Sequence, residues 1–107
     1  MAYQDSLTAL ADPMRRQIFE HLAAQPMSVG DLAGRVPVSR PAVSQHLKVL
    51  SDAGLLTVAA EGTRRIYTAN PDAIAALRSY LDTLWSEVLA GFTAKIEKDG
   101  TNDQTDC

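Results

Sequence analysis

Ser39-Arg40-Pro41-Ala42-Val43-Ser44-Gln45-His46-Leu47-Lys48-Val49-Leu50 is the stretch whose reading decides the fold of this 107-residue chain. The Ser39 hydroxyl is placed to cap a helix, and Pro41 falls in the first turn, where a missing N–H costs nothing. Val43, Leu47 and Leu50 recur on one stripe at helical spacing and can anchor the helix to a core. Arg40, Ser44, Gln45 and Lys48 point away from that stripe and carry hydrogen-bonding groups suited to base edges and phosphates. His46 lies three residues after Val43 and four before Leu50, partly on the anchoring side, and reads as a packed histidine.

Outward from this helix, the chain is punctuated by caps and prolines. Leu7 and Leu10 mark a short first helix over residues 4–11, which stops at Asp12-Pro13 because the residue before a proline is pushed out of helical geometry. Asp12 then caps a second helix with Met14, Ile18, Phe19 and Leu22 as its inner stripe, ending near Gln25-Pro26. Ser28-Val29-Gly30-Asp31 has the spacing of a capping box for a third helix with Leu32, Ala33 and Val36 turned inward, closed by Pro37. The fourth helix runs from Ser39 to Ala53, where Gly54 supplies a left-handed terminator. The period then changes: Leu55–Ala60 and Arg64–Ala69 are two strands around Glu61-Gly62-Thr63. Asn70-Pro71 opens a long amphipathic helix reaching about Ile96, with a polar tail over 98–107 expected to be disordered. The order α-α-α-α-β-β-α is mainly helical with a two-stranded hairpin, a winged helix-turn-helix with an added last helix. Residues 1–97 are expected to form one domain.

Composition narrows the function. The net charge is −3, but it is unevenly spread: residues 1–12 carry −2, residues 13–68 carry +3 and residues 69–107 carry −4. Attraction to a polyanion follows the local field, so the basic middle is compatible with DNA. No apolar run is long enough to span a membrane and the N-terminus lacks the layout of a signal peptide, so a cytoplasmic location without membrane contact is expected. The single cysteine, Cys107, allows neither an internal disulfide nor a cysteine-rich metal site. No nucleophile–base pair, glycine-rich phosphate loop or clustered acid pair points to an enzyme, and no cofactor is implied.

The phrases Leu10-Ala11-Asp12-Pro13-Met14-Arg15-Arg16-Gln17-Ile18, Val29-Gly30-Asp31-Leu32, Ser44-Gln45-His46-Leu47-Lys48-Val49-Leu50, Ala53-Gly54-Leu55-Leu56 and Gly62-Thr63-Arg64-Arg65-Ile66-Tyr67 resemble the ArsR/SmtB family of bacterial repressors, in its order and at its spacing. The resemblance implies a winged helix-turn-helix repressor acting as a homodimer held by its first and last helices. It also locates the metal sites of the metal-sensing members. The third-helix site would fall around Ser28 and Gly30, and the last-helix site near Pro71, Ala73, Leu84 and Glu87, of which only Glu87 can coordinate. The last-helix pattern Tyr80-Leu81-Asp82-Thr83-Leu84-Trp85-Ser86-Glu87-Val88-Leu89 resembles the metal-independent members of the family, several of which are autorepressors, and no metal site is expected.

The expected DNA-binding residues are Arg40, Pro41, Ser44, Gln45 and Lys48 on the fourth helix and Arg64 and Arg65 on the hairpin. Gln45 can pair with adenine, and Arg40 with guanine or phosphate. Arg64 and Arg65 are consecutive in a strand and point to opposite faces, so only one follows a given groove surface; Arg65 is preferred, and the choice stays open. Arg15 and Arg16 are equally explained as backbone contacts or as helix solvation. The last helix has more apolar residues than a small helical core can cover. Leu81, Leu84, Trp85, Val88 and Phe92, with Leu7 and Leu10, form the expected interface of an isologous homodimer. The expected partners are thus double-stranded DNA and a second copy, with no small-molecule effector identifiable. The competing reading is a winged-helix protein-interaction module that binds no DNA.

Overall fold

Three helix starts in the first half of the chain use one device. In the computed structural model, which describes the backbone of residues 2–106 and the side chains of residues 4–96, the order is α1 (Ala2–Ala11), α2 (Pro13–Ala24), α3 (Val29–Ala33), α4 (Arg40–Asp52), β1 (Leu56–Glu61), β2 (Arg64–Ala69) and α5 (Pro71–Asp106). Asp12 Oδ2 accepts from the Arg15 N–H at 2.9 Å, Ser28 Oγ from the Asp31 N–H at 3.2 Å, and Ser39 Oγ from the Ala42 N–H at 3.3 Å. Each side chain satisfies a donor that the first helical turn leaves without a partner. The Arg15 guanidinium adds a brace, its Nε donating to the Ala9 carbonyl at 2.8 Å and so holding the end of α1 against the start of α2.

The end of α4 fixes where the hairpin begins. Gly54 has φ +80°, the Gly54 N–H donates to the Ser51 carbonyl at 2.9 Å, and the Leu55 N–H donates to the Leu50 carbonyl at 3.0 Å. These are the two hydrogen bonds of a Schellman motif, and its accompanying apolar contact is supplied by Leu50 and Leu55, both fully buried. Strand β1 consequently begins at Leu56, one residue later than the expected Leu55, because the Leu55 N–H is committed to the helix end and its carbonyl accepts from the Asn70 N–H at 2.8 Å.

β1 and β2 pair antiparallel from Leu56↔Ala69 to Glu61↔Arg64, leaving Gly62-Thr63 as a two-residue loop. Gly62 has φ +65° and Thr63 does not have positive φ, the pattern of a type II′ turn, whose twist matches that of the strands. The loop is thus shorter than the expected Glu61-Gly62-Thr63. On its other side β2 is bridged by Met27: the Met27 N–H donates to the Tyr67 carbonyl at 3.1 Å and the Tyr67 N–H to the Met27 carbonyl at 2.8 Å. Asn70 closes the hairpin base, its Nδ2 donating to the Gly54 carbonyl at 3.0 Å while its Oδ1 accepts from the Asp72 N–H to start α5.

Residues 1–77 form one compact unit and residues 78–107 a second. The core of the first is built from Ile18, Phe19 and Leu22 of α2, Leu32 of α3, Val43, Leu47 and Leu50 of α4, and Met27, Val36, Leu55 and Leu56 between and after them. Among the described residues of α1, Ser6 and Ala9 are buried; Leu10 packs partly against the core and Leu7 is exposed. Among the described residues of α5 Leu77 is the last buried one, and every residue from Leu81 to Ile96 is exposed, so the core of the first unit ends at Leu77. The helix also continues to Asp106, past its expected end near Ile96. Gly100 is the one strong helix-weakening residue there, and a single glycine lowers helix propensity by only about 1 kcal/mol without breaking the backbone ladder. The side chains of 97–106 and all of Cys107 lie outside the described residues.

Because α4 is held by its buried stripe and started by Ser39, the two contributions can be separated. Ser39→Ala is expected to lower unfolding free energy by about 1 kcal/mol and Leu47→Ala by about 2–5 kcal/mol, measured by urea denaturation followed by circular dichroism. A smaller loss from Leu47→Ala than from Ser39→Ala would contradict the anchoring role of the stripe.

Candidate nucleic-acid interface

With Val43, Leu47 and Leu50 turned into the core, α4 presents Arg40, Pro41, Ser44, Gln45 and Lys48 to solvent, all exposed. His46 is half-buried and close enough to Asp12 to help hold that carboxyl in its charged form. The main cause of the depressed Asp12 pKa is the capping N–H of Arg15. His46 is thus less accessible than Ser44, Gln45 and Lys48 on the same helix.

Two concavities lie between the helices and the hairpin. One, of about 530 Å³, is bordered by Ser28, Gly30 and Asp31 of the α3 region, Arg40 of α4, and Arg64 and Arg65 of β2. The other, of about 460 Å³, is bordered by Ser44, Lys48 and Ser51 of α4 and by Val58, Arg65 and Tyr67 of the hairpin. Arg65 borders both. The register explains its position, because Val58 pairs with Tyr67 and Ala60 with Arg65. Residues two apart share a face, so Arg65, Tyr67 and Val58 lie together on the side toward Ser44 and Lys48.

Arg64 has the opposite side and a different environment. Its Nη2 donates to Asp31 Oδ2 at 2.8 Å and to Ser28 Oγ at 2.9 Å, across 33 and 36 residues of sequence. Lys48 is also paired, with Asp52 one turn on at 3.1 Å, but both of these side chains are largely exposed. Arg40 lies over Gly30: a Cβ added there would stand 3.8 Å from Arg40 Nη1. Of the expected interface residues, the structure therefore gathers Arg40, Ser44, Lys48, Arg64 and Arg65 around the two concavities, while Gln45 stands exposed beside them. The sequence reading lacked Asp31 and Asp52 as partners of two of these cations and Met27 as a partner of β2. Only the Lys48–Asp52 spacing of four residues on a helix is a signal that sequence alone carries.

The apolar residues expected at a homodimer interface divide between the two units. In residues 78–107, Leu81, Trp85, Val88, Leu89, Phe92 and Ile96 are exposed along one side of α5, with Trp85 66% and Val88 64% accessible. Leu84, at 36%, flanks them. No group of three or more His, Cys, Asp or Glu side chains able to hold a metal ion occurs among the described residues, and no helix there is long and apolar enough to cross a membrane.

Residues 10–59 match a family described as a helix-turn-helix domain. Over 92 residues, 86% of each chain, the sequence is 52% identical to the HTH-type transcriptional regulator Rv2034 of Mycobacterium tuberculosis. It is 34% identical over 62 residues to the transcriptional repressor SdpR of Bacillus subtilis, covering 58% of this chain and 69% of that one. Among solved structures, an ArsR-like transcriptional regulator from Rhodococcus sp. RHA1 superposes with a TM-score of 0.81 at 27% identity, covering 90% of this chain and 91% of the other.

The Asp31 carboxyl, which ties α3 to β2, is held below the ordinary carboxylate range. The Ser28 hydroxyl is the largest cause, then the Ser28 backbone N–H; desolvation opposes them, and the charge and hydrogen bond of Arg64 add smaller contributions in the lowering direction. A depressed folded-state pKa means that the stabilisation is fully present above the unfolded-state value and is lost as pH falls through the lower folded value. The tie is therefore intact at neutral pH and released only in acid. In an NMR titration, Arg64→Gln should raise the Asp31 pKa while leaving it below that of an unperturbed carboxyl, since both Ser28 contributions remain.

Proposed function

We propose that this chain, which belongs to the ArsR family of winged helix-turn-helix transcriptional regulators, acts as a dimeric, DNA-binding repressor that occupies an inverted-repeat operator, its own promoter included. The observation that carries this reading is the solvent-facing row Arg40, Ser44, Gln45 and Lys48 on a helix whose opposite stripe is fully buried, flanked by a hairpin that brings Arg65 to the same side. A helix so held can enter a major groove with its side chains directed at base edges, while the hairpin follows the adjoining backbone. Gln45 is the base-reading residue, its amide making paired hydrogen bonds to adenine. Arg40 and Pro41 approach at the helix start, and Ser44 and Lys48 make phosphate or mixed contacts. Lys48 can leave Asp52 for a phosphate at little cost, because an exposed i,i+4 ion pair is worth only about 0.3–0.5 kcal/mol.

The second copy is required by the geometry of the operator. One recognition helix reads one half-site, and two half-sites about one turn apart need two helices related by a twofold axis. The exposed row Leu81, Trp85, Val88 and Phe92 of α5, flanked by Leu84, is one apolar surface that a second copy would cover, and Leu7 with the accessible part of Leu10 on α1 is, separately, another. The protein works in the cytoplasm, where its DNA is, and its control is independent of metal. Ser28, Gly30, Pro71, Ala73 and Leu84 occupy positions where metal-sensing relatives need ligands, and none of them supplies a thiolate, imidazole or carboxylate.

Gln45→Ala should lose discrimination at one operator position, at a cost of about 1–3 kcal/mol. Arg65→Ala should weaken binding to operator and scrambled duplex alike and lower the salt slope by about one. Fluorescence anisotropy at several salt concentrations reads both, and parental behaviour of both variants would refute the assigned surface.

Sedimentation at micromolar concentration should show a dimer that Val88→Glu converts to monomer. A monodisperse monomer of the parent protein would remove the two-half-site reading.

A further inference from the structure

The hairpin is fastened to one short segment of the chain at two heights. Near its base, Tyr67 exchanges both backbone hydrogen bonds with Met27, at 3.1 and 2.8 Å. Near its tip, beside the Gly62-Thr63 loop, Arg64 Nη2 reaches Asp31 Oδ2 at 2.8 Å and Ser28 Oγ at 2.9 Å. The receiving residues are themselves immobilised, because Ser28 Oγ caps α3 through the Asp31 N–H and the Leu32 N–H donates to the Ser28 carbonyl at 3.0 Å. Attachments near the base alone, through Met27 and Asn70, would let the distal hairpin pivot about Tyr67; a further attachment three residues nearer the tip removes that freedom. The side chain making it is consecutive with Arg65, which has no ion-pair partner among the described residues and borders both concavities beside α4.

We propose that Arg64 is a positioning residue: its bonds to Asp31 and Ser28 set the hairpin against the helix-turn-helix, so that Arg65 alone of the pair meets the DNA backbone. The inference rests on the DNA-binding reading above and deepens it by dividing the two wing arginines between fastening and contact. Asp31 acquires an unexpected sign. By charge alone, an acidic residue beside a DNA-binding surface weakens binding, and its neutralisation should tighten it. As the anchor of Arg64, its neutralisation should instead loosen the wing and weaken binding.

The experiment uses the full chain and the duplex that it enriches from a random-sequence pool, with a scrambled duplex as control. Arg64→Gln and Asp31→Asn are each expected to weaken operator binding by about tenfold. The double variant should be no weaker than either single one, because both remove the same tie. Arg64→Gln should leave the salt slope at the parental value, whereas Arg65→Gln lowers it by about one. Hydroxyl-radical footprinting should show loss of protection at the outer, wing-side phosphates in Asp31→Asn, with protection at the centre of each half-site retained; a general loss of folding would move both. Should Asp31→Asn disturb the α3 cap and lower the thermal midpoint, Arg64→Gln decides alone, since it leaves the Ser28–Asp31 cap intact. Tighter binding by folded Asp31→Asn, or a salt slope lowered by about one in Arg64→Gln, would overturn the proposal and make Arg64 itself the phosphate contact. If the parent chain enriches no duplex, the DNA-binding reading fails, and this inference with it.

Discussion

Val43, Leu47 and Leu50 are buried to 1% accessibility or less, and this leaves α4 no freedom to turn about its own axis. Rotation of the helix by even one residue's angle, 100°, would bring a polar side chain into the core and an apolar one out, at the cost of a buried group without a hydrogen bond. The direction of Arg40, Ser44, Gln45 and Lys48 is thus a by-product of packing elsewhere. The hairpin inherits that direction, since Leu50 receives the Leu55 N–H and Asn70 returns to Gly54 and Leu55. Helix and hairpin are two ends of one hydrogen-bonded unit, which allows a small surface to keep its shape without a large core.

The electrostatics of that surface are more selective than its count of basic residues suggests. Lys48 and Arg64 each have a carboxylate partner, whereas Arg40 and Arg65 have none among the described residues. The two pairs differ in kind. Lys48 and Asp52 are 76% and 68% exposed and joined by one contact, so water competes on every side. Arg64 shares one nitrogen between a carboxylate and a capped hydroxyl belonging to the same turn, so both acceptors must move together to release it. The four cations around the two concavities therefore resolve into an exchangeable one, a fastened one and two standing ones.

Much of this was legible in the sequence because it is local. Caps at Asp12, Ser28, Ser39 and Asn70, first-turn prolines at 13, 41 and 71, and Gly54 are read within four residues of where they act, and the structure uses each in that way. The α4 face followed from the 3.6-residue period. The one-residue error at β1 has the same origin in reverse: a residue that ends one element and precedes the next cannot be assigned by periodicity, and Leu55 was claimed by the helix. The Met27 bridge and the Arg64–Asp31 tie were illegible, since they join residues 33 to 40 positions apart and neither has a spacing rule. Strand alternation could say that Arg64 and Arg65 differ, but not which faced what. The continuation of α5 to Asp106 was missed because polar composition was read as loss of helix, although a helix needs no apolar stripe to persist once started.

The Met27–Tyr67 bridge also restricts how the length of this wing can vary. It fixes the face of Tyr67, and every side chain between it and the tip is counted from there by strict alternation. A single residue inserted into β2 beyond Tyr67 would turn Arg65 away from α4 and bring Arg64 toward it, exchanging their surroundings at one stroke. Two residues would lengthen the strand and return each arginine to its own side. Wings built on this plan can therefore grow or shrink in pairs, and an odd step requires a bulge to absorb it.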